Sequence, residues 1–137
     1  MTAAEAVPRK ILVIDDEPDV VRYLEMLLQD NGYQTVSAPD GKRGFEKARV
    51  EHPDLICLDI TMPEKSGVRF YRELRGDRDL SQVPVVVVTA VTGFGGDPTS
   101  FEQFLDTRPQ VPAPDAFVPK PIDRGAFLAA VAHLLPR

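Results

Sequence analysis

This chain of 137 residues has a single cysteine, no surplus of positive charge and no long apolar run, and each of these features excludes a class of protein. The single cysteine, Cys57, rules out an internal disulfide, and its place inside an apolar run favours a core residue over a reactive thiol. No apolar run approaches the roughly 18 residues that cross a bilayer, so we expect no membrane span. A net charge of −5 argues against direct nucleic-acid binding, because phosphate contact needs a basic patch.

The chain start carries small side chains and the acidic Glu5, so it lacks the basic start and apolar core of a secretion signal. We interpret residues 1–8 as a disordered tail and residues 9–137 as one domain of a cytoplasmic protein, since this length fits a single domain. His52 and His133 are far apart and match no metal-ligand pattern.

The most informative stretch is a run of four apolar residues, 55–58, that ends in the carboxylate of Asp59. The run is too short for a helix and does not alternate, which predicts a central parallel strand buried on both faces. Pro63 follows closely and cannot continue a sheet ladder. Ligands bind at the carboxyl ends of strands in open α/β sheets, so Asp59 is the first candidate for a functional residue.

Other apolar runs deliver polar groups in the same way: one leads into Asp15 and Asp16, one into Thr89 and one towards Lys120. A carboxylate after a single strand is often only a cap or a loop residue. Three of them with a lysine at one sheet edge would be costly without a function, because like charges repel. We therefore predict a site at this edge.

Apolar residues recur at helical spacing between the runs, which predicts crossover helices and a parallel sheet covered on both faces. The predicted elements besides the strands already described are a strand at 33–37 and helices at about 18–31, 41–52, 67–75 and 122–135. We place Glu17 in the first turn of the first of these helices and Ser66 as the N-cap of the third.

Residues 91–115 interrupt this alternation, because they are rich in glycine and proline and fit only one short helix. We predict that residues 93–114 of this segment form the element that recognises a partner, or part of it. This stretch begins just after Thr89, and with Phe101 and Phe104 it carries more apolar area than a short helix buries. An alternative stays open, in which the aromatic residues belong to the core and the prolines shorten an inert loop.

Taken together and in order, the strand-end motifs resemble those of response-regulator receiver domains, the phospho-accepting half of two-component signalling. The motifs are Asp15-Asp16, Leu58-Asp59 with Met62-Pro63-Glu64, Thr89-Ala90 and Lys120-Pro121. The resemblance runs from about Lys10 to the C-terminus. It implies an α/β fold of flavodoxin-like type, a doubly wound five-stranded parallel sheet in the order 2-1-3-4-5 with helices on both faces.

The resemblance also implies that Asp59 is the phosphoacceptor, and that Asp15, Asp16, Asp59 and the backbone carbonyl of Thr61 surround a Mg²⁺ ion. Grouped carboxylates repel at about 4 kcal/mol per close pair in a surface-like dielectric, and a hard cation removes that cost. Lys120 is implied to contact a phosphoryl oxygen.

A switch is implied as well. Thr89 would hydrogen-bond the arriving phosphoryl group and pull the loop after its strand inward. This movement of the loop would free Phe117 to turn inward. In the family, such a pair links the site to a surface formed by the fourth helix, the fifth strand and the last helix. Phe117 lacks the hydroxyl of the tyrosine often found there.

The implied function is a phosphoacceptor switch and not an enzyme in the usual sense. It would receive a phosphoryl group from a histidine kinase or a phosphotransfer protein and act on a downstream protein that the sequence does not identify. Because no output domain follows Arg137, we expect a stand-alone receiver. A receiver-fold docking module that acts independently of phosphorylation is the alternative that stays open.

Two other classes fit the residues less well. A phosphatase of the haloacid-dehalogenase type also uses a strand-end aspartate and Mg²⁺, but it needs a second aspartate where this chain has Thr61. A flavodoxin needs a phosphate-binding loop after the first strand, and the acidic residues 15–17 would repel phosphate.

Overall fold

The computed structural model describes residues 8–59, 66–90, 115–120 and 122–135. The strands are β1 (Lys10–Ile14), β2 (Gln34–Ala38), β3 (Leu55–Asp59), β4 (Val85–Ala90) and β5 (Ala116–Lys120). The helices in the described ranges are α1 (Pro18–Asp30), α2 (Gly41–Glu51), α3 (Ser66–Gly76) and α4 (Arg124–Leu134). None of these helices is both long and apolar enough to span a membrane.

All five strands pair in parallel, in the order β2-β1-β3-β4-β5. This order confirms the fold predicted from the sequence. A parallel neighbour can be reached only by a crossover, which is why helices alternate with the strands along the chain.

Alternating side chains of β3 enter two separate cores. Ile56 and Leu58 pack in one core with side chains of α2 and α3. Leu55 and Cys57 pack in the other with side chains of α1 and α4. Every residue of β3 is buried, which confirms the prediction that this strand is covered on both faces. Burial also raises the pKa of the Cys57 thiol to about 12, so the predicted core role of this residue is confirmed.

Side-chain caps determine where two of the helices begin. The Asp40 carboxylate accepts a hydrogen bond of 2.7 Å from the Arg43 N–H at the start of α2. Asp123 accepts one of 3.1 Å from the Gly125 N–H, so α4 begins at Arg124 and not at 122 as predicted. His52, at φ 49°, ends α2 in the left-handed conformation.

Two further sequence expectations need correction, and one cannot be assessed. The sequence predicts a strand at 83–88 that ends in Thr89, whereas β4 begins at Val85 and continues past Thr89 to Ala90. Ser66 is the first residue of α3 and does not precede the helix as its cap. Of the expected tail, residues 1–7 lie outside the described ranges, and Pro8 is exposed.

Helix α2 approaches β1 so closely at Gly44 that a side chain would not fit. A Cβ atom there would lie 2.5 Å from Cδ1 of Ile14, a fully buried residue. We expect Gly44→Ala to lower the free energy of unfolding by about 1 kcal/mol, since overpacking costs about 1–3 kcal/mol and alanine recovers about 1 kcal/mol of helix preference. Urea denaturation measures this change.

Gly76→Ala is the matched control, because nothing lies within 4 Å of a Cβ added at that position. It should not destabilise the protein. In an Ile14→Val background, which removes Cδ1, the loss caused by Gly44→Ala should shrink. Equal stability of the two glycine variants would contradict the packing argument.

Candidate functional site

The strands bring the predicted site residues to one edge of the sheet. Ile14 pairs with Leu58, so Asp15 and Asp59 each lie one residue beyond this pair on neighbouring strands. Lys120 pairs with Ala90 at the same edge. The edge is the carboxyl end of all of these strands, as the sequence predicts.

Asp15 and Asp59 are the buried polar or charged residues in the described part of the chain, with 2% and 1% of their surface exposed. A carboxylate loses much of its solvation when it is buried, so it needs a charge partner or hydrogen bonds. Two such residues at adjacent strand ends are unusual in a protein core. Their burial points to a functional site.

Local hydrogen bonds hold the loop after β1. The N–H of Asp15 donates to the Ala38 carbonyl at 3.2 Å, which ties the loop to the end of β2. The Asp15 carboxylate accepts from the Glu17 N–H at 2.9 Å, which orients this side chain just before α1. Glu17 occupies the N-cap position, with extended backbone, and not the first helical turn where the sequence placed it. Pro18 then starts the helix without needing an N–H partner.

Three carboxylates are close enough to hold one cation. Asp15, Asp16 and Glu17 each offer an oxygen, and these oxygens lie within 4.8 Å of one another. Asp16 and Glu17 are exposed, so solvent and ions can reach the group. Carboxylate oxygens are the donors that a hard cation such as Mg²⁺ prefers, and the donor set therefore fits the predicted ion.

The group shares Asp15 and Asp16 with the predicted ligand set but not its other members. Glu17 belongs to it, although the sequence analysis assigned no ligand role to this residue, and Asp59 lies outside it. The direct adjacency of Glu17 to two acidic residues was the signal that could have identified it. Thr61, the fourth predicted ligand, lies outside the described residues.

The other predicted site residues are located by their backbone. Thr89 lies one residue beyond the pair of Asp59 with Val88, and it pairs with Pro119. Phe117 pairs with Val87. The assigned roles of Thr89, Phe117 and Lys120 depend on their side chains and stay predictions.

A cleft of about 340 Å³ opens beside the acidic group. It lies between α1 and the end of β2, and Asp15, Asp16, Arg22 and Ser37 are among its lining residues. The acidic group is therefore accessible from the surface along one side of α1.

Comparison with known proteins agrees with this geometry. The sequence profile of the response regulator receiver domain matches residues 11–132. The chain belongs to the response-regulator receiver family. The match includes every predicted site residue, from Asp15 to Lys120.

Individual relatives of this receiver differ in length. The probable transcriptional regulator ycf27 of Cyanophora paradoxa is 33% identical over 94% of this chain, which spans only 49% of that protein. The polar-differentiation response regulator DivK of Brucella ovis is 28% identical over 93% of this chain and 96% of its own length. The receiver domain of a signal transduction histidine kinase from Syntrophus aciditrophicus is 30% identical, with a TM-score of 0.78 over 93% of this chain and 89% of its own.

We predict that Asp16→Asn weakens Mg²⁺ binding roughly tenfold or more, because it removes one negative charge from the acidic group. Glu17→Gln should weaken binding as well if the third carboxylate contributes. Titration of the ¹⁵N-labelled receiver with Mg²⁺, followed through the amides of the loop after β1, measures the affinity.

Asp40→Asn is the matched control, since asparagine also caps helices and this carboxylate lies outside the acidic group. An Asp16→Asn variant that binds Mg²⁺ as tightly as Asp40→Asn would exclude Asp16 from the metal site.

Proposed function

We propose that this receiver accepts a phosphoryl group on Asp59 in a Mg²⁺-dependent reaction and that phosphorylation changes a surface that binds a partner protein. The burial of Asp15 and Asp59 at adjacent strand ends is the observation that supports this proposal most directly. Added negative charge at such a site needs nearby cations, and Mg²⁺ and Lys120 are the cations proposed here.

Asp59 is the proposed nucleophile. One of its carboxylate oxygens forms a bond to phosphorus while the bond between phosphorus and the leaving group of the donor breaks. The fully buried β3 holds this carboxylate at the end of the strand, so little reorganisation is needed before reaction. The reaction depends on positioning and on electrostatic stabilisation, as is general for phosphoryl transfer.

The metal ligands proposed for the ion are Asp15, Asp16 and Asp59, with the carbonyl of Thr61, and Glu17 is near enough to Asp15 and Asp16 to contribute. Bound Mg²⁺ would offset charge on the carboxylates and on the incoming phosphoryl group. The hydrogen bond from the Glu17 N–H restricts the orientation of the Asp15 carboxylate.

Lys120 and Thr89 are proposed to act on the phosphoryl group. Their strands, β4 and β5, are adjacent. Thr89 pairs with Pro119, and the next pair along the two strands is Ala90 with Lys120. Lys120 would supply a positive charge to one phosphoryl oxygen. Thr89 would donate a hydrogen bond to another phosphoryl oxygen. Phe117, on the strand that pairs with the strand of Thr89, would then turn inward.

The proposed phosphodonor is a histidine kinase or a phosphotransfer protein, and the proposed output is a downstream protein reached in the cytoplasm. A related protein named as a response regulator and another named as a probable transcriptional regulator support a signalling role. The predicted recognition segment, 93–114, lies outside the described residues. Its role stays a prediction.

We predict that a small phosphodonor such as acetyl phosphate modifies the wild-type protein only in the presence of Mg²⁺. Asp59→Ala should abolish the modification, because the attacking oxygen is lost. Intact-mass spectrometry after timed incubation measures the modified fraction, and EDTA provides the metal-free arm.

Asp40→Asn should be modified like the wild type, since its carboxylate lies outside the site. Modification of Asp59→Ala at the wild-type level would disprove the assignment of Asp59. A folded wild-type protein that no donor modifies would favour the docking-module alternative.

We also predict that Lys120→Ala and Thr89→Ala have different effects. Loss of the lysine should slow phosphorylation, because a charge partner is removed. Loss of the threonine hydroxyl should leave Asp59 modifiable but reduce the structural response. Amide NMR spectra recorded before and after treatment with beryllofluoride, a phosphoryl mimic, measure that response.

The spectra should change less in Thr89→Ala than in the wild type along β4 and β5. Thr89→Ser, which keeps the hydroxyl, is the control and should behave like the wild type. A full response in Thr89→Ala would remove Thr89 from the mechanism.

A further inference from the structure

Two aspartates at the amino-terminal edge of the sheet, opposite the acidic site, make the same pair of hydrogen bonds. The Asp54 N–H donates to the Lys10 carbonyl at 2.7 Å, and the Asp54 carboxylate accepts from the Lys10 N–H at 2.8 Å. The Asp115 N–H donates to the Val85 carbonyl at 3.0 Å, and the Asp115 carboxylate accepts from the Val85 N–H at 2.8 Å. Each aspartate thus binds both the N–H and the carbonyl of the first residue of the neighbouring strand. We call this pair of hydrogen bonds a bracket, and we name it after the strand that the aspartate precedes.

The two brackets have the same position relative to the predicted site. Asp54 precedes β3 and lies five residues before Asp59. Asp115 precedes β5 and lies five residues before Lys120. In both cases the bracket is at one end of a five-residue strand and the proposed functional residue is at the other.

Such a bracket sets the register between two parallel strands, because it connects both the N–H and the carbonyl of one residue to a single partner. The register also determines which side chain of β5 lies opposite Ala90, at the edge of the sheet where the site is. A slip of one residue moves each side chain by about 3.3 Å and turns it to the opposite face of the sheet. A slip of β5 would put a proline, Pro119 or Pro121, opposite Ala90 in place of Lys120.

β5 depends on its bracket more than β3 does. β3 pairs with strands on both sides and is buried throughout. β5 is at the edge of the sheet and pairs with β4 alone among the described strands. It also contains Pro119, which has no N–H to donate to a ladder.

A buried arginine holds the bracket of β5. Arg75, whose side chain is only 7% exposed, donates to the Asp115 carboxylate at 3.2 Å. It also donates to the carbonyls of Ser81 and Val83 at 3.0 and 2.8 Å, and its guanidinium lies 5.0 Å from the ring centre of Tyr71. These contacts attach the bracket to α3 and to the loop that leads into β4.

Among the residues that the structure describes, none anchors the bracket of β3 in this way. Its cation, Arg9, is 46% exposed and lies 3.8 Å from the Asp54 carboxylate. Surface ion pairs of this kind contribute little. The buried anchor is therefore found at the strand that has fewer other constraints.

We propose that Asp115, held by Arg75, is a positioning residue that sets the register of β5 on β4 and thereby delivers Lys120 to the phosphorylation site. This inference rests on the proposed function for its effect on phosphorylation. Its effect on strand register does not depend on that function.

The first test is a double-mutant cycle with acetyl phosphate as the donor and Mg²⁺ present. Asp115→Ala should slow phosphorylation about 10- to 100-fold, the range expected when a remote change misplaces a reacting group by about 1 Å. In a Lys120→Ala background, Asp115→Ala should have no further effect, because it acts through Lys120. Mg²⁺ affinity should be unchanged, since Asp15, Asp16 and Asp59 lie at the ends of β1 and β3 and not on β5.

Two variants serve as controls. Asp115→Asn keeps an oxygen that can accept from Val85 and Arg75, so it should restore most of the rate. Asp54→Ala removes the other bracket, which acts on β3 and Asp59, and it should therefore still slow phosphorylation in the Lys120→Ala background. Equal slowing by Asp115→Ala with and without Lys120 would overturn the proposal, as would a wild-type rate in Asp115→Ala.

The second test reads the register directly by NMR and needs no phosphorylation. Interstrand NOEs that report Lys120 opposite Ala90 should be present in the wild type and Asp115→Asn and be lost or shifted by one residue in Asp115→Ala. Retention of these NOEs in Asp115→Ala would overturn the proposal even if no donor modifies the wild type. If Asp115→Ala does not fold, Arg75→Lys replaces it in both tests, since lysine cannot reach the two carbonyls and the carboxylate together.

Discussion

The burial of β3 between β1 and β4 constrains the rest of the molecule. Its side chains alternate between two cores, so helices must cover both faces of the sheet. Parallel pairing on both sides then requires crossovers, and these bring the ends of neighbouring strands to a common edge. Asp59 is the last residue of this strand. Its carboxylate is therefore held at that edge by a strand in which every residue is buried, and it has little freedom to move away from the neighbouring acids.

Carboxylates at the carboxyl edge and at the amino edge of the sheet have different roles. At the carboxyl edge, buried and exposed carboxylates are brought together, an arrangement that costs free energy without cations. At the amino edge, carboxylates connect neighbouring strands, because Asp54 and Asp115 each accept a hydrogen bond from a backbone N–H of the adjacent strand. The second edge stabilises the register on which the first depends.

Much of this molecule follows from sequence pattern, and the part that does not has a physical cause. Four consecutive apolar residues before Asp59 predict a strand buried on both faces, because no other element of that length buries such a run. The crossover helices follow from apolar residues at helical spacing between the strands, whereas the strand order was implied by the resemblance to receiver domains. The extent of β4 was harder to predict, since Thr89 and Ala90 can either continue a strand or end it. Only pairing with β5 keeps them in the ladder.

The same division applies to the site. The sequence by itself determined the fold, the family, the strand ends at which the acids lie and the core role of Cys57, because apolar periodicity and short motifs are local properties. Tertiary structure decided which groups meet. It added Glu17 to the carboxylates around Asp15, and it joined Arg75 on α3 to Asp115 before β5 across 40 positions of the chain. Contacts between residues so far apart depend on how helices and strands pack together, and no local pattern in the sequence encodes that packing.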